Sequence, residues 1–397
     1  MSSILEKQSF RKGKEYTRSR LMKLKPKITI ADHFAEMTDP RVERTRRHKL
    51  IDVITIAISS VICGADTWVD MESYGQAKLE WLKRFLELPH GIPSHDTFAR
   101  VFARVNPEQF QQSFLSWMKS ISNILKGEVV AIDGKTLRHS YDIESGKAAI
   151  HMVSAWATEN RLVLGQVKVN DKSNEITAIP ELLKVLELNG CIVTIDAIGC
   201  QKEIVKQIAE GGGDYVIALK KNQSGLYERV EALFKEALIK QYQGFTFSSN
   251  RGSKPAHGRE ETRYCMMLSN IQEQVDPEGK WLRLQSIGRQ DAMRVVNGKT
   301  TIKTRYFISS LPNNAKLLAD SVRQHWGIEN SLHWVLDVAF REDDSRIRKD
   351  NAPQNFAVLR HIANSLLQQN KSVKTGIKNK RLKAGWDNEY LAKVLFE

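Results

Sequence analysis

Three acidic residues of this sequence stand at places where proteins commonly hold a metal ion. Asp133 follows the apolar run 129–132, and Asp196 follows the apolar run 191–195. Glu329 lies in a segment with helical periodicity, and His325 and His333 stand four positions before and after it. Ligands of α/β proteins collect beyond the carboxyl ends of strands, and Mg²⁺ prefers carboxylate oxygens. The three acids are therefore candidates for one divalent-metal site.

Each acid also has an ordinary interpretation. Asp-Gly at 133–134 is a common turn signal, and a helix glutamate often pairs with a histidine four residues away. The acidic patch 342–344 is expected to pair with the basic residues that follow it rather than to hold a second metal. Zinc-hydrolase and ATPase chemistry fit poorly, because neither an HExxH pattern nor a GxxxxGK[ST] loop occurs.

The elements that would position these acids follow an informative order. Three β-type segments joined by short links predict an antiparallel meander. Alternating helices and strands follow, as in α/β proteins. The predicted elements are strands at 129–133, 150–157 and 162–169, then helix 178–188, strand 191–196, helix 201–210 and strand 215–219. This is the order of the ribonuclease-H-like fold, a mixed five-stranded sheet with helices. Its first and fourth strands are neighbours, so Asp133 and Asp196 are expected to face each other.

Composition and periodicity divide the chain into three parts. Residues 1–29 are rich in Lys and Arg and are predicted to be a flexible basic arm. Residues 30–124 have helical patterns with proline punctuation, which predicts an N-terminal all-helical domain. Residues 125–397 form the predicted α/β catalytic domain, with a β-rich insertion at about 240–310, a helix over 315–336 and a basic C-terminal tail.

The charge balance favours a polyanionic partner. The 397 residues include 60 Lys or Arg against 46 Asp or Glu, which gives a net charge of +14. Nucleic acid is a better fit than a membrane, because there is no basic amphipathic anchor and no uninterrupted apolar run of about 18 residues. The first residues also lack the apolar stretch of a signal peptide, so we expect a cytoplasmic protein.

Several motifs of this chain resemble those of one family. They are AIDGKTLR at 131–138, KSNEI at 172–176, DAIGCQ at 196–201, NQ at 222–223, HGR at 257–259 and the run 325–338 in the α/β part, with DPR at 39–41, GA at 64–65 and GIPSHDT at 91–97 in the helical part. The family is that of the H-repeat-associated proteins, which are DDE transposases of bacterial insertion-sequence elements. The resemblance covers the chain from about residue 38 to its end.

The resemblance implies a catalytic role for the three acids. Asp133, Asp196 and Glu329 would bind two Mg²⁺ ions, for which Mn²⁺ is an expected substitute. Two cations about 3.5 to 4 Å apart serve both the attacking and the leaving oxygen of a phosphodiester. The implied reaction is hydrolysis at element ends followed by strand transfer into target double-stranded DNA. A homodimer is expected because two ends are cut, and DNA binding would bring the protein to the bacterial nucleoid.

Contacts with DNA are predicted for seven further residues. They are Lys135, Lys220, Asn222, His257, Arg259, Arg323 and His333. The sequence departs from relatives at two places. Lys221 stands where the family has glycine, and related cut-and-paste enzymes place Tyr, Arg and Lys at −7, −4 and +7 from the glutamate, where this chain has Val322, His325 and Leu336. The hairpin intermediates of those related enzymes are therefore not predicted for this protein.

Two other functions suit the same residues. One is a catalytically silent, domesticated DNA-binding protein that keeps the fold. The other is a structure-selective nuclease, whose cleavage would follow DNA shape rather than a terminal sequence. The presence of all three carboxylates favours the transposase, and a cleavage assay separates the three functions.

Overall fold

The computed structural model describes residues 30–121, 126–141, 148–169, 174–256, 259–296 and 299–396. The predicted basic arm at 1–29 lies outside these ranges. Within them, no helix combines the length and the apolar character that a membrane span requires.

The first part of the described chain is helical. Its helices are α1 (Ile30–Phe34), α2 (Leu50–Ile62), α3 (Trp68–Ala77), α4 (Leu79–Leu82), α5 (His95–Arg104) and α6 (Pro107–Ile121). The Thr67 hydroxyl accepts a hydrogen bond from the Asp70 amide and Asp70 reciprocates, which fixes the start of α3. The Ser94 hydroxyl caps α5 in the same manner by accepting from the Thr97 amide. Helix α2 is almost entirely buried and forms the centre of this group.

A nine-stranded mixed sheet follows. Its strands are β1 (Val129–Thr136), β2 (His151–Ala157), β3 (Leu162–Lys168), β4 (Ile192–Ile195), β5 (Asp214–Leu219), β6 (Thr246–Ala256), β7 (Arg259–Ser269), β8 (Ser286–Val296) and β9 (Lys299–Ser309). Their order across the sheet is β3-β2-β1-β4-β5-β9-β8-β7-β6. Strands β1, β2 and β3 are antiparallel neighbours, which confirms the predicted meander. Strand β4 pairs parallel with both β1 and β5.

The sheet is wider than the five strands that the sequence predicted. The segment predicted as a β-rich insertion supplies β6 to β9, and β9 pairs antiparallel with β5. An unpaired edge at β5 would leave backbone amides and carbonyls without partners. The insertion therefore continues the central sheet instead of standing apart from it.

Helices cover both faces of the sheet. They are α7 (Glu175–Lys184), α8 (Lys202–Glu210), α9 (Ser224–Ile239), α10 (Gln272–Val275), α11 (Ala315–Ile328), α12 (Trp334–Phe340), α13 (Ala352–Gln369), α14 (Ile377–Trp386) and α15 (Asn388–Phe396). Helix α11 packs on Val129, Ile192, Val216 and Phe307, one residue from each of four adjacent strands. Helices α7, α8 and α9 pack on the opposite face. The face under α11 is the one that carries the candidate site.

The helices near the C-terminus pack on the N-terminal helices. Helix α13 contacts α2, α5 and α6, and it also lies on β3. The Asn355 side chain donates to the Phe102 carbonyl at 2.8 Å and to the Val105 carbonyl at 3.0 Å. Trp68 of α3 meets Phe356 of α13 edge to face, with ring centroids 5.1 Å apart. Both ends of the described chain thus contribute to one helical layer beside the sheet.

Candidate active site

Register places Asp133 and Asp196 side by side. The parallel β1/β4 ladder ends with the pair Ile132 and Ile195, so each aspartate is the next residue of its chain. Neighbouring strands lie about 4.8 Å apart. Side chains alternate between faces along a strand, and Val129 of β1 packs under α11. Asp133 therefore projects on the face that α11 covers.

Asp133 is not part of a turn. Strand β1 continues to Thr136, with Asp133 opposite Ser154 and Gly134 opposite Val153 in the β1/β2 ladder. The prediction that the strand ends at Asp133 was wrong, because the antiparallel partner β2 extends β1 beyond the end of β4. At Asp133, β1 is therefore paired with β2 on one side and, among the residues that the structure describes, has no strand partner on the other. The Asp133 side chain is 31% exposed.

Glu329 occupies a π-helical turn. Helix α11 ends at Ile328, residues Glu329–His333 form the π turn, and α12 begins at Trp334. The prediction of one regular helix over 315–336 was therefore wrong, because a single wide turn leaves the apolar spacing on either side almost unchanged. Such turns occur frequently at functional sites.

The π turn brings His333 against two of the acids. Its Nδ1 lies 3.1 Å from Glu329 Oε2 and 3.7 Å from Asp133 Oδ2. Ligand atoms of Asp133, Glu329 and His333 all lie within 4.8 Å of one another, which makes these three a possible metal-binding group. His333 is buried and Glu329 is exposed. The group thus opens to solvent on the side of Glu329.

Asp196 lies outside that tight group but faces it. Its Oδ1 accepts from the Ile198 amide at 2.9 Å, which caps the 3₁₀ turn Ala197–Gly199. The Asn222 side chain donates to the Ala197 carbonyl at 2.7 Å and steadies the same turn. Thr194, two residues before Asp196, hydrogen-bonds His325 Nδ1 at 3.1 Å. The backbone on either side of Asp196 is therefore held by Asn222, from the turn after β5, and by His325 of α11.

Electrostatics reflect how close these acids are. The pKa of Asp133 is raised to about 6, chiefly by burial; the charges of Asp196 and Glu175 contribute to the rise, whereas His333 and the Gly134 amide oppose it. Burial lowers the pKa of His325, and the Asp196 charge opposes that shift. Ionised carboxylates held this close need a counter-charge. A divalent cation would supply it.

A largely buried lysine, whose side chain is 12% exposed, lies two residues beyond Asp133. Lys135 Nζ is 2.6 Å from Asp337 Oδ1, 3.0 Å from Asp343 Oδ1 and 3.2 Å from Glu342 Oε2. Burial lowers the pKa of Lys135, but the nearby carboxylates outweigh burial and hold that pKa above its usual value. The acidic patch is thus ion-paired, as predicted. Lys135 pairs with Glu342 and Asp343, Arg138 also pairs with Asp343, and Arg341 pairs with Asp344, so the partners differ from the basic residues that follow the patch. A role of Lys135 in DNA contact stays a prediction.

The structure describes some of the other predicted DNA contacts. Lys220 and Arg323 are exposed. Lys220 lines a cavity of about 570 Å³ that also reaches Asp196. His257 lies outside the described residues, and of Arg259 only the backbone, at the start of β7, is described. Their DNA contacts stay predictions.

Sequence reasoning did not identify the partners of Gly134. A Cβ at this position would collide with the Glu175 carboxylate and the His151 ring, which are joined by a 2.6 Å hydrogen bond. His151 also hydrogen-bonds the Thr136 hydroxyl through Nδ1 at 2.8 Å. Because Gly134 alternates with Asp133, this cluster lies on the other face of the sheet and supports β1 from behind.

Gly134→Ala is accordingly expected to lower the free energy of unfolding by about 1 to 3 kcal/mol, the usual cost of overpacking. Urea denaturation measures it. Gly225→Ala is the matched control, since a Cβ there meets only Arg229 Nη1 at 3.5 Å, and it is expected to leave stability unchanged or slightly higher. Equal stability of the two variants would show that the space behind Gly134 is not filled.

Comparisons with known proteins agree with the sequence resemblance. Residues 124–366 match the family model described as the transposase DDE domain, and residues 31–118 match the one described as DDE_Tnp_1-associated. "Putative transposase YncI" of Escherichia coli O157:H7 is 41% identical over 370 residues, which cover 92% of this chain and 94% of that protein. "H repeat-associated putative transposase YhhI" of Escherichia coli K12 is 40% identical over 370 residues, 92% of this chain and 97% of that protein.

Proposed function

The chain belongs to the DDE transposase family, as do the H repeat-associated proteins, and from this membership we propose that it cuts DNA at the ends of a mobile element and joins the freed 3′ hydroxyls to target DNA. A ribonuclease-H-like core is part of the proposal. The strand order β3-β2-β1-β4-β5 supports it, with β1 to β3 antiparallel and β4 and β5 parallel to β1.

The observation that carries the proposal is the possible metal-binding group of Asp133, Glu329 and His333. Asp196 directly follows β4, the strand that pairs with the strand of Asp133. The carboxylate oxygens of the three acids suit Mg²⁺, which is bound through one or two carboxylates together with water and substrate phosphate. Mn²⁺ accepts the same ligands. Two such ions would activate the attacking oxygen and stabilise the leaving oxygen of a phosphodiester.

The residues of the chain have separate tasks in this proposal. Asp133 and Asp196 hold fixed positions because the β1/β4 ladder and the 3₁₀ turn at Ala197–Gly199 support them. Glu329 is exposed and therefore approaches the substrate from the open side. His333, buried beside it, hydrogen-bonds the Glu329 carboxylate and fixes its direction, as residues behind metal ligands commonly do.

The test is a cleavage assay on DNA that carries the inverted repeats flanking the gene. Wild-type protein is expected to nick this DNA in Mg²⁺ and to join the 3′ ends to a second DNA. If wild type cuts no better than Asp133→Ala, the proposed activity is refuted. Binding without cleavage in Mg²⁺ or Mn²⁺ would indicate the silent DNA-binding protein, and cleavage that follows DNA shape would indicate the nuclease.

DNA binding is expected to depend steeply on salt. The net charge of +14 and exposed cations near the site, among them Lys220 and Arg323, favour contact with phosphates. With six to ten such contacts, affinity falls roughly 10³- to 10⁵-fold between about 50 and 200 mM salt. Fluorescence anisotropy with a labelled duplex measures this, and an affinity that does not change with salt would contradict the electrostatic account.

A homodimer that holds both element ends is also part of the proposal. Sedimentation of the protein with DNA that carries both ends tests it.

A further inference from the structure

Four cations from the insertion project on one face of the sheet. We call Arg263, Arg294, Lys303 and Arg305 the insertion face. Arg263 of β7 and Lys303 of β9 lie in one cross-strand row, because both are in register with Ala292 of β8. Arg294 lies two residues further along β8, and Arg305 lies two residues from Lys303 toward the central sheet. Alternation along β9 places Lys303 and Arg305 on the same side as Phe307, which packs under α11.

The insertion face has an excess of positive charge. Glu261 is shared between Arg263, at 2.7 Å, and Arg294, at 3.5 Å. Among the described residues, no ion pair joins Lys303 or Arg305 to a carboxylate. Burial, followed by the charges of Arg263 and Arg294, lowers the pKa of Arg305. Like charges gathered without matching acids favour a bound anion.

An exposed tryptophan connects this face with the acids. Trp326 of α11 is 47% exposed, and the Arg305 guanidinium lies over its ring, 5.0 Å from the centroid. Trp326 and Arg305 line two cavities at once. One, of about 460 Å³, includes the rest of the insertion face, and the other, of about 570 Å³, reaches Asp196. A continuous path therefore runs from the candidate active site to the insertion face.

The lining of this path combines cations with apolar surface. Ala218 and Tyr227, both partly exposed, line the cavity beside Asp196 together with Trp326, Lys220 and Lys221. A duplex presents phosphates and keeps its bases stacked inside, so it would leave such apolar side chains uncontacted. An unpaired strand exposes base faces, and proteins that bind single strands combine a cationic groove with aromatic stacking platforms.

We propose that the insertion face and Trp326 bind a single, unpaired DNA strand that continues from the phosphodiester held at the acids. The cations pair with successive phosphates, and a base stacks on Trp326. This inference rests on the proposed function because it takes the bound polymer to be DNA. It adds that the DNA is single-stranded and names the residues that bind it.

The test measures binding without cleavage. A fluorescently labelled single strand of about 12 nucleotides and the corresponding duplex are titrated with the full chain in EDTA. The variants are Trp326→Ala and the pair Lys303→Gln with Arg305→Gln. The matched control is Lys202→Gln with Lys206→Gln, which removes the same charge from exposed positions of α8 on the opposite face of the sheet. Thermal melting checks that each variant is folded.

Trp326→Ala is expected to weaken single-strand binding about 10-fold, the effect of one lost base stack, and to leave duplex binding nearly unchanged. The paired insertion-face variant should lose more single-strand affinity than the control. The proposal is overturned if single-strand affinity equals that of wild type, or if single-strand and duplex affinities fall equally. Cleavage in Mg²⁺ is scored separately. Lost strand binding in the variants together with no cleavage by wild type would refute the proposed function and keep this inference.

Discussion

Asp133→Asn is expected to lower the rate of DNA cleavage by about 10²- to 10³-fold, because a preorganised electrostatic group at a reacting centre is typically worth that much. The substitution keeps the shape of the side chain and removes the charge that holds a cation. Stability is expected to stay the same or to rise. Burial raises the pKa of Asp133 to about 6, so its ionised form at neutral pH is unfavourable in the folded protein, and asparagine relieves that cost.

The control for this prediction is Asp320→Asn. Asp320 is a half-exposed acid of α11 that pairs with Lys316 at 2.7 Å and lies outside the cluster around Asp133. The Asp320→Asn variant should cut DNA at the wild-type rate. The measurement is the initial rate of nicking of end-labelled terminal DNA in Mg²⁺, with melting temperatures recorded in parallel. Loss of activity accompanied by a lower melting temperature in Asp133→Asn would point to misfolding and would contradict the catalytic assignment.

Lys135→Met is expected to lower the free energy of unfolding by about 3 to 5 kcal/mol, the usual effect of removing one partner from a buried ion cluster. The Lys135 side chain is 12% exposed, and that of Glu342, one of its three carboxylate partners, is 1% exposed. Without the ammonium these acids repel each other in a poorly hydrated space. Adding Glu342→Gln to the variant should restore part of the loss.

Urea denaturation measures this effect against Lys184→Met. Lys184 pairs with Glu181 at 2.6 Å on the exposed face of α7, and its removal should cost less than about 1 kcal/mol. The same variants separate two roles of Lys135. If Lys135→Met leaves stability unchanged but weakens DNA binding, the lysine is a DNA contact and the account of a structural ion cluster is wrong.

The order of strands could be predicted from the sequence because each strand is short and bounded by turn residues. The apolar runs and the links between them predicted the meander, and the likeness of the element order to the ribonuclease-H-like fold predicted the pairing of β1 with β4. The width of the sheet could not be predicted. Pairing of β9 with β5 is a contact between residues about 90 positions apart, and hydrophobic spacing contains no information on such partners.

The site was predictable in part. Helical spacing alone predicted that His325 and His333 neighbour Glu329, and the family motifs predicted that Glu329 shares one site with the two aspartates. The π turn at Glu329–His333 leaves the apolar pattern intact and so has no signature in spacing. The partners of Lys135 lie in a segment more than 200 positions later. The side chains behind Gly134 could have been suspected from the KSNEI motif at 172–176, whose glutamate is one of them.

A change of metal preference tests the central claim most directly, because it requires the side chain itself to touch the ion. A thiolate is a softer ligand than a carboxylate and suits Mn²⁺ better than Mg²⁺. We predict that Asp133→Cys fails to cut terminal DNA in Mg²⁺ and regains cleavage in Mn²⁺, whereas Asp320→Cys cuts in both. Cleavage by Asp133→Cys that is equal in the two metals, or wild-type protein that cuts in neither, would contradict the assignment of Asp133 as a metal ligand of a DNA-cutting site.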